Sequence, residues 1–569
     1  MTQHEAVEAR DPVVSVRNLR IAFGAGPDAI ARVHGVDFDL HEGECLAIVG
    51  ESGSGKSVTA KSLIGLTGQQ GQVSADTLTL QGKDLRGNSG SQWRKIRGAG
   101  IGYVLQDALV SLDPLRTIGR EIDDALRLHT DYSSRERREK VLELLRAVGI
   151  PEPEQRIRQR SGELSGGLRQ RALIASAVAL NPPLLVADEP TTALDATVQK
   201  QILALLDTLQ DGGTALLLIS HDLAVVSHMA DRIAVMRDGE FVESGPASQV
   251  LQDPQHDYTK KLLQAVPTGR SRGTALSDTR VTISPRQHRS IVARRTETDG
   301  ERTDSGPVLV GERLRKVYRN PDGSEHVAVD DVSFALDAGT TLGIVGESGS
   351  GKTTVARMAL GLVEPDSGEV RFAGRPWSSL AEKQRRPHRR RIAAIYQDPL
   401  GSFDPQWTVG GILTDSLGDT RTLSKVERRE EVTQLLETVG LSPDVAGRNP
   451  LRLSGGQRQR VAIARALAAG PDIVICDEPV SALDVSIQAQ VLDLLNELQR
   501  EFALSYLFIS HDLGVVQHVS DEIVVMANGI VVEAGTTQQI FENPTQEYTK
   551  RLLAAAPRLE TAPKKVGLS

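Results

Sequence analysis

Short apolar runs recur along this chain, each ending at a glycine-rich or acidic turn. CLAIV at 45–49 and LGIV at 342–345 lead into glycine-rich loops, ALLLI occupies 215–219, and LLVADEP (184–190) and IVICDEP (473–479) end in paired acids. Too short for helices, these runs read as buried strands of α/β sheets. Helical signals fall between them. Ser133 with Glu136, and Ser424 with Glu427, read as capping boxes opening amphipathic helices that stop at Gly149 and Gly440. Val141, Leu144, Leu145 and Val148 share one helical face. No apolar run approaches the roughly 18 residues of a membrane-spanning helix. The opening MTQHEAVEAR carries acids and no apolar segment of the signal-peptide kind. The chain is therefore expected to stay in the cytoplasm and to do any membrane work through partners.

The pattern repeats as a whole. GESGSGKS at 50–57 returns as GESGSGKT at 346–353, LSGG at 164–167 returns at 453–456, and ISHDL at 219–223 returns at 509–513, in the same order. One domain has been duplicated. Between the copies, Thr268–Pro307 is rich in Arg, Ser, Thr, Gly and Asp without hydrophobic period, and reads as a flexible polar linker. The expected division is a first domain at 12–267, the linker at 268–307, a second domain at 308–557 and a disordered tail at 558–569.

Composition changes this picture little. The 569 residues are 39% hydrophobic and 25% charged, enough for two substantial cores, and the net charge of −8 argues against a general nucleic-acid binder. Cys45 and Cys476 both sit in strand-like runs and read as inert core thiols in a reducing compartment.

The chemistry begins at the two glycine-rich loops. Each follows an apolar strand and precedes a helix-forming run, the context in which backbone N–H groups and a helix N-terminus cradle phosphates. Candidate nucleotide contacts are Gly50, Glu51, Ser52, Gly53, Ser54, Gly55, Lys56, Ser57 and Val58, and in the second copy Gly346, Glu347, Ser348, Gly349, Ser350, Gly351, Lys352, Thr353 and Thr354. Lys56 and Lys352 suit the β and γ phosphates of ATP, and the hydroxyls of Ser57 and Thr353 suit Mg²⁺. Asp188 and Asp477, at strand ends, would hold the same metal directly or through water. Glu189 and Glu478 beside them are placed to orient an attacking water. A single Asp-Glu pair is an ordinary solvated strand end; its recurrence after a phosphate loop in both halves points to catalysis.

LSGGLRQR at 164–171 and LSGGQRQR at 453–460 resemble the signature of the ATP-binding-cassette (ABC) family. That resemblance implies two tandem P-loop nucleotide-binding domains, each with a RecA-like α/β core, an antiparallel β subdomain and a helical signature subdomain. It further implies two composite ATP sites. One would pair Lys56, Ser57, Gln106, Asp188, Glu189 and His221 with Ser454, Gly455 and Gly456; the other would pair Lys352, Thr353, Gln397, Asp477, Glu478 and His511 with Ser165, Gly166 and Gly167. Gln106 and Gln397 match the family's Q-loop, which touches Mg²⁺ or the attacking water. His221 and His511 match its γ-phosphate switch, and Asp195 and Asp484 its D-loop. Phe23 and Tyr318 are candidates for stacking on adenine. Leu168 departs from the polar or methionine residue common after LSGG, with little consequence expected.

EPTTALDATVQKQIL at 189–203 and EPVSALDVSIQAQVL at 478–492 resemble the two ATPase subunits of oligopeptide and dipeptide importers. HDYTKKLLQAVP at 256–267 and QEYTKRLLAAAP at 546–557 are similar to that branch's HPYT-type C-terminal motif, with Asp257 and Glu547 in place of its proline. The resemblance implies an ATP-hydrolysing transporter subunit at the cytoplasmic face of the cell membrane, working with two integral-membrane permease subunits and an extracytoplasmic solute-binding protein, without nucleic acid. Peptides are the expected solute, with glutathione or a nickel chelate as alternatives. Some relatives of this branch carry a cysteine-rich extension; no cysteine follows Cys476, so no iron–sulfur cluster is expected. A translation-associated tandem cassette protein fits less well, because a long charged helical linker is missing and the YTKKLL and YTKRLL tails are present.

Overall fold

The computed structural model describes residues 11–556 apart from 25, 27–28, 69, 107–110, 193, 269–270, 280–282, 284, 286, 289–290, 293–305, 320–322 and 419–422. The tail expected at 558–569 lies outside the described residues. The chain forms two compact units, one built mainly on residues up to Leu263 and the other mainly on Gln264–Ala556.

Continuous apolar runs become strands buried on both faces. In the first unit, Cys45–Val49, Leu184–Asp188 and Ala215–Ile219 are buried throughout. They lie in a six-stranded sheet ordered Glu240–Pro246, Arg232–Arg237, Cys45–Val49, Ala215–Ile219, Leu184–Asp188, Ile101–Val104, parallel except at the Glu240–Pro246 edge. The second unit repeats this sheet with Ile392–Ile395, Ile473–Asp477, Ser505–Ile509, Thr341–Val345, Glu522–Ala527 and Ile530–Thr536. In both, the phosphate loop leaves the C-terminal edge of an interior parallel strand, and the paired acids end a strand of the same sheet. This edge is where open α/β sheets bind ligands.

Alternating strands form a separate antiparallel sheet in each unit. Val14–Phe23 pairs with Ile30–Leu40 and Thr77–Leu80 in the first, and Leu309–Arg319 pairs with Glu325–Leu336 and Ser367–Phe372 in the second. Inward residues such as Val16, Leu19, Ile21, Val33 and Val36 pack with Leu46 and Ile48 of the parallel sheet, joining both sheets through one core.

The helical grammar of the sequence holds. Ser133 Oγ accepts the Glu136 N–H while the Glu136 carboxylate accepts the Ser133 N–H at 2.7 Å, and Ser424 with Glu427 repeats both bonds. The helices Ser134–Ala147 and Lys425–Thr438 end on Gly149 (φ 72°) and Gly440 (φ 70°). There the Ile150 N–H reaches the Leu145 carbonyl and the Leu441 N–H reaches that of Leu436, the paired closure of a Schellman turn. Val141, Leu144, Leu145 and Val148 are buried, as their spacing requires. Both cysteines are buried and neither forms a disulfide, and burial pushes the Cys476 thiol far up from its ordinary value.

One expectation needs correction. Among the described residues of the stretch read as a flexible linker, Leu276 and Ile291 are buried in the core cluster of the second unit. The backbone N–H groups of Leu276 and Ser277 donate to the Asp493 carboxylate at 2.9 and 2.8 Å, and the His288 ring stacks on Phe502 at 5.6 Å. Isolated apolar residues produce no periodicity, so anchors of this kind leave no trace in a hydrophobic pattern.

Candidate active site

The phosphate loops need glycine for reasons visible in the backbone. Gly50 has φ 147°, and a Cβ there would stand 2.1 Å from the Met236 carbonyl oxygen; at Gly346, φ 153°, the corresponding distance to Met526 is 2.2 Å. The loop thus lies directly against the neighbouring parallel strand. Gly55 and Gly351, at φ 110° and 100°, are the N-caps of the helices Lys56–Ser62 and Lys352–Ala359 and bring no side chain to cap them.

Inside each loop the lysine is buried and held by its own backbone. Lys56 Nζ donates to the carbonyls of Gly50 and Glu51, both at 2.7 Å, and Lys352 Nζ to those of Gly346 and Glu347 at 2.8 and 2.7 Å. Burial pulls the Lys352 ammonium below its ordinary value. Ser57 Oγ donates to Asp188 Oδ1 at 3.0 Å, and Thr353 Oγ1 to Asp477 Oδ1 at 3.4 Å. A hydroxyl and a carboxylate converging beside a buried ammonium, in a loop whose first glycine has no room for a Cβ, make an oxygen-rich donor set that fits Mg²⁺ and a polyphosphate.

Glu189 and Glu478 both adopt φ 51°, a left-handed conformation unusual for glutamate, with their N–H groups bonded to the carbonyls of Ile219 and Ile509 at 2.8 and 2.9 Å. Strand geometry ends at the preceding aspartate, and this twist turns the glutamate toward the histidine and glutamine. Gln106 Nε2 donates to Glu189 Oε2 at 2.7 Å, and His221 Nδ1 stands 3.1 Å from Glu189 Oε1. The second unit repeats these contacts at 2.6 Å for Gln397 and 3.1 Å for His511.

The pairing shifts both groups. Burial opposes the charge on Glu189 and Glu478, but the histidine hydrogen bond and charge prevail and hold each carboxyl below its ordinary value. Burial likewise pulls His221 and His511 down, and the glutamates more than reverse it, leaving both imidazoles raised. Asp188 and Asp477 are raised, first by burial, with the adjacent glutamate contributing.

Each unit thus gathers its lysine, hydroxyl, paired acids, glutamine and histidine, the cluster expected from the motifs. The remaining predicted residues stand on other elements. Ser165 and Ser454 cap the helices Gly166–Ala177 and Gly455–Leu467, accepting the N–H groups of Leu168 and Gln457. Leu168 makes a local difference between the copies: the Gln457 side chain accepts the Ser454 N–H at 3.2 Å, a return bond a leucine cannot make. Asp484 caps Val485–Phe502, and Asp195 immediately precedes Ala196–Asp211. Phe23 and Tyr318 lie near the ends of equivalent antiparallel strands, Phe23 packed against the core and Tyr318 more exposed.

Two contacts had no signal in the sequence. Tyr103 OH donates to Asp188 Oδ2 at 2.9 Å, whereas Ala394 occupies the equivalent strand position in the second unit. Tyr258 OH accepts the Glu51 N–H at 3.0 Å, and Tyr548 OH accepts that of Glu347 at 3.4 Å. Both tyrosines belong to the YTK segments, which spacing alone could not connect to the loops.

Comparison with known proteins places this geometry. The ABC transporter family matches residues 33–192 and 329–481, and the oligopeptide/dipeptide transporter C-terminal region matches 242–289 and 532–567. The chain is 44% identical over 553 residues to the Peptidoglycan transport ATP-binding protein YejF of Agrobacterium fabrum, covering 96% of this chain and 97% of that protein. It is 43% identical over 577 residues to the Glutathione import ATP-binding protein GsiA of Escherichia coli K12, covering 98% and 92%. A solved structure titled RNase-L Inhibitor aligns over 94% of this chain and 92% of its own, at TM-score 0.59 and 23% identity, which speaks to the fold alone. With two cassette domains and two such C-terminal regions, the chain belongs to the ABC transporter family as a tandem ATP-binding subunit of its oligopeptide/dipeptide importer branch, an ATP-hydrolysing transporter ATPase.

Proposed function

We propose that this chain binds two ATP molecules, each between the phosphate loop of one half and the LSGG signature of the other, and drives uptake of di- or oligopeptides through partner permease subunits. The observation that carries the reading is the duplicated cluster: both halves keep lysine, hydroxyl, Asp-Glu pair, glutamine and histidine in the same arrangement. Lys56 and Lys352 bind the β and γ phosphates. Ser57, Gln106 and Asp188, and in the second half Thr353, Gln397 and Asp477, would hold Mg²⁺, which neutralises phosphate charge when bound. Glu189 and Glu478 orient the attacking water through their fixed backbones, and His221 and His511 contact the γ-phosphate. Ser165 and Ser454, with the glycines that follow them, complete the opposite site, and Asp195 and Asp484 link the two. Phe23 and Tyr318 stack on adenine.

ATP acts here as a ligand favouring the closed arrangement. Shifting such an equilibrium from 1:99 to 99:1 needs about 5.5 kcal/mol of differential binding, shared between two nucleotides. Closure drives permeases at the cytoplasmic face of the membrane, fed by an extracytoplasmic solute-binding protein, and hydrolysis resets the cycle. Among the described residues no helix is long and apolar enough to cross a membrane, consistent with peripheral attachment. A second reading has its own support: the same ATPase role in glutathione uptake, favoured by the relative named for that solute. Uptake of labelled tripeptide and labelled glutathione into cells lacking this chain, with and without its restoration, tests both. Restored peptide uptake supports the first reading, restored uptake of glutathione alone the second, and restoration of neither overturns both.

A further inference from the structure

The YTK segments identified the branch of the family but had no task in the ATPase. We propose that they brace the phosphate loops, with Tyr258 and Tyr548 acting as positioning residues whose hydroxyls fix the second residue of each loop. The proposal rests on the assignment of Gly50–Ser57 and Gly346–Thr353 as the nucleotide loops.

Tyr258 begins near the start of the helix Asp257–Gln264 and is 7% exposed. Its hydroxyl reaches 207 positions back along the chain to accept the Glu51 N–H at 3.0 Å. Glu51 follows the glycine whose Cβ position is filled by the Met236 carbonyl. The loop therefore abuts strand Arg232–Arg237 at Gly50 and is held by the tyrosine at the next residue. Strand Glu240–Pro246 pairs with that strand and fixes the tyrosine in turn: the Glu243 carboxylate accepts the N–H groups of Gln255 and His256 at 2.8 and 3.0 Å, setting where the helix starts. Strand, glutamate, helix start and hydroxyl form one connected support.

The second unit repeats it. Glu533 accepts the N–H groups of Thr545 and Gln546 at 2.7 and 3.2 Å, and Tyr548 OH accepts the Glu347 N–H at 3.4 Å. Both copies of the duplicated domain thus keep a hydroxyl on the same loop amide. The two braces differ in strength. The Arg237 guanidinium lies over the Tyr258 ring, 5.1 Å from its centre, whereas Ala527 holds the equivalent strand position in the second unit. The first brace is accordingly the tighter.

Tyr258→Phe removes the hydroxyl and keeps the ring. In full-length protein carrying Lys352→Ala, which leaves one nucleotide loop intact, it is expected to weaken binding of a fluorescent ATP analogue with Mg²⁺ by about three- to tenfold. Amide exchange in the Gly50–Ser54 segment of the nucleotide-free protein should quicken, while exchange in the sheet core stays unchanged. Tyr548→Phe in a Lys56→Ala background should show a smaller loss, about twofold, and carries the same test if Tyr258→Phe does not fold. Unchanged or tighter binding with unchanged loop exchange overturns the brace. Full retention of binding by Lys56→Ala with Lys352→Ala instead overturns the assignment of the loops, independently of the tyrosines.

Discussion

Glu189 and Glu478 each sit at φ 51° at the end of a buried strand, locked by one backbone hydrogen bond to the next strand and by side-chain contacts to glutamine and histidine. The glutamate–histidine pairing is strongest where both groups are charged. With the glutamates below their ordinary 4.5 and the histidines above their ordinary 6.5, stabilisation is present between those shifted values, lost as pH falls through the glutamate value and lost as pH rises through the histidine value. Imidazole NMR titration of nucleotide-free protein should therefore place His221 and His511 above 6.5, and Glu189→Gln should lower His221 alone. Unmoved His221 titration in that variant would contradict the pairing. Tyr103 gives a second prediction. Tyr103→Phe should weaken the Mg²⁺ dependence of nucleotide binding at the first loop by about two- to tenfold, because it leaves one Asp188 oxygen without a donor, and should leave the second loop untouched. Binding at separate Lys352→Ala and Lys56→Ala backgrounds distinguishes them. Motif spacing made Lys56, Asp188, Glu189 and His221 legible in advance, since their chemistry is carried by short local strings. Tyr103 and Tyr258 were not, because their partners are brought near only by the fold and no local string encodes the pairing.

At the scale of elements, local rules translated directly. Both capping boxes and both glycine stops stand where the sequence put them, because cap and partner lie within one helical turn. The linker anchors and the ion pair between Arg391 and Asp472 depend on tertiary placement and left no pattern. That pair, at 2.6 Å, joins the start of Ile392–Ile395 to the approach of Ile473–Asp477, with the guanidinium 4.8 Å from the Phe372 ring centre. Both side chains are about nine-tenths buried. Asp472→Ala leaves the arginine buried without its carboxylate and should lower stability by about 3–5 kcal/mol, read as a reduced urea midpoint. Gly50→Ala should act through a different element contact: its Cβ collides with the Met236 carbonyl, so the loop must leave its strand, and ATP binding at the first site should fall below detection while Lys352 still binds. Normal binding by Gly50→Ala would show that the loop does not depend on that approach.

Across the whole molecule, duplication is the governing fact. Each half carries an antiparallel sheet, a six-stranded mostly parallel sheet, a signature helix and a C-terminal YTK helix, and family membership follows from both copies together. The copies are not identical in detail. Tyr103, Arg237 and Leu168 in the first half correspond in position to Ala394, Ala527 and Gln457 in the second, so the two copies share chemistry while differing in the groups that support it. The central claim is that both glutamates activate water for hydrolysis without being needed to hold nucleotide. The direct measurement is ATP binding and turnover by full-length protein carrying Glu189→Gln with Glu478→Gln. The account predicts nucleotide affinity close to wild type with turnover lowered by about a hundredfold or more; turnover at the wild-type rate would contradict it.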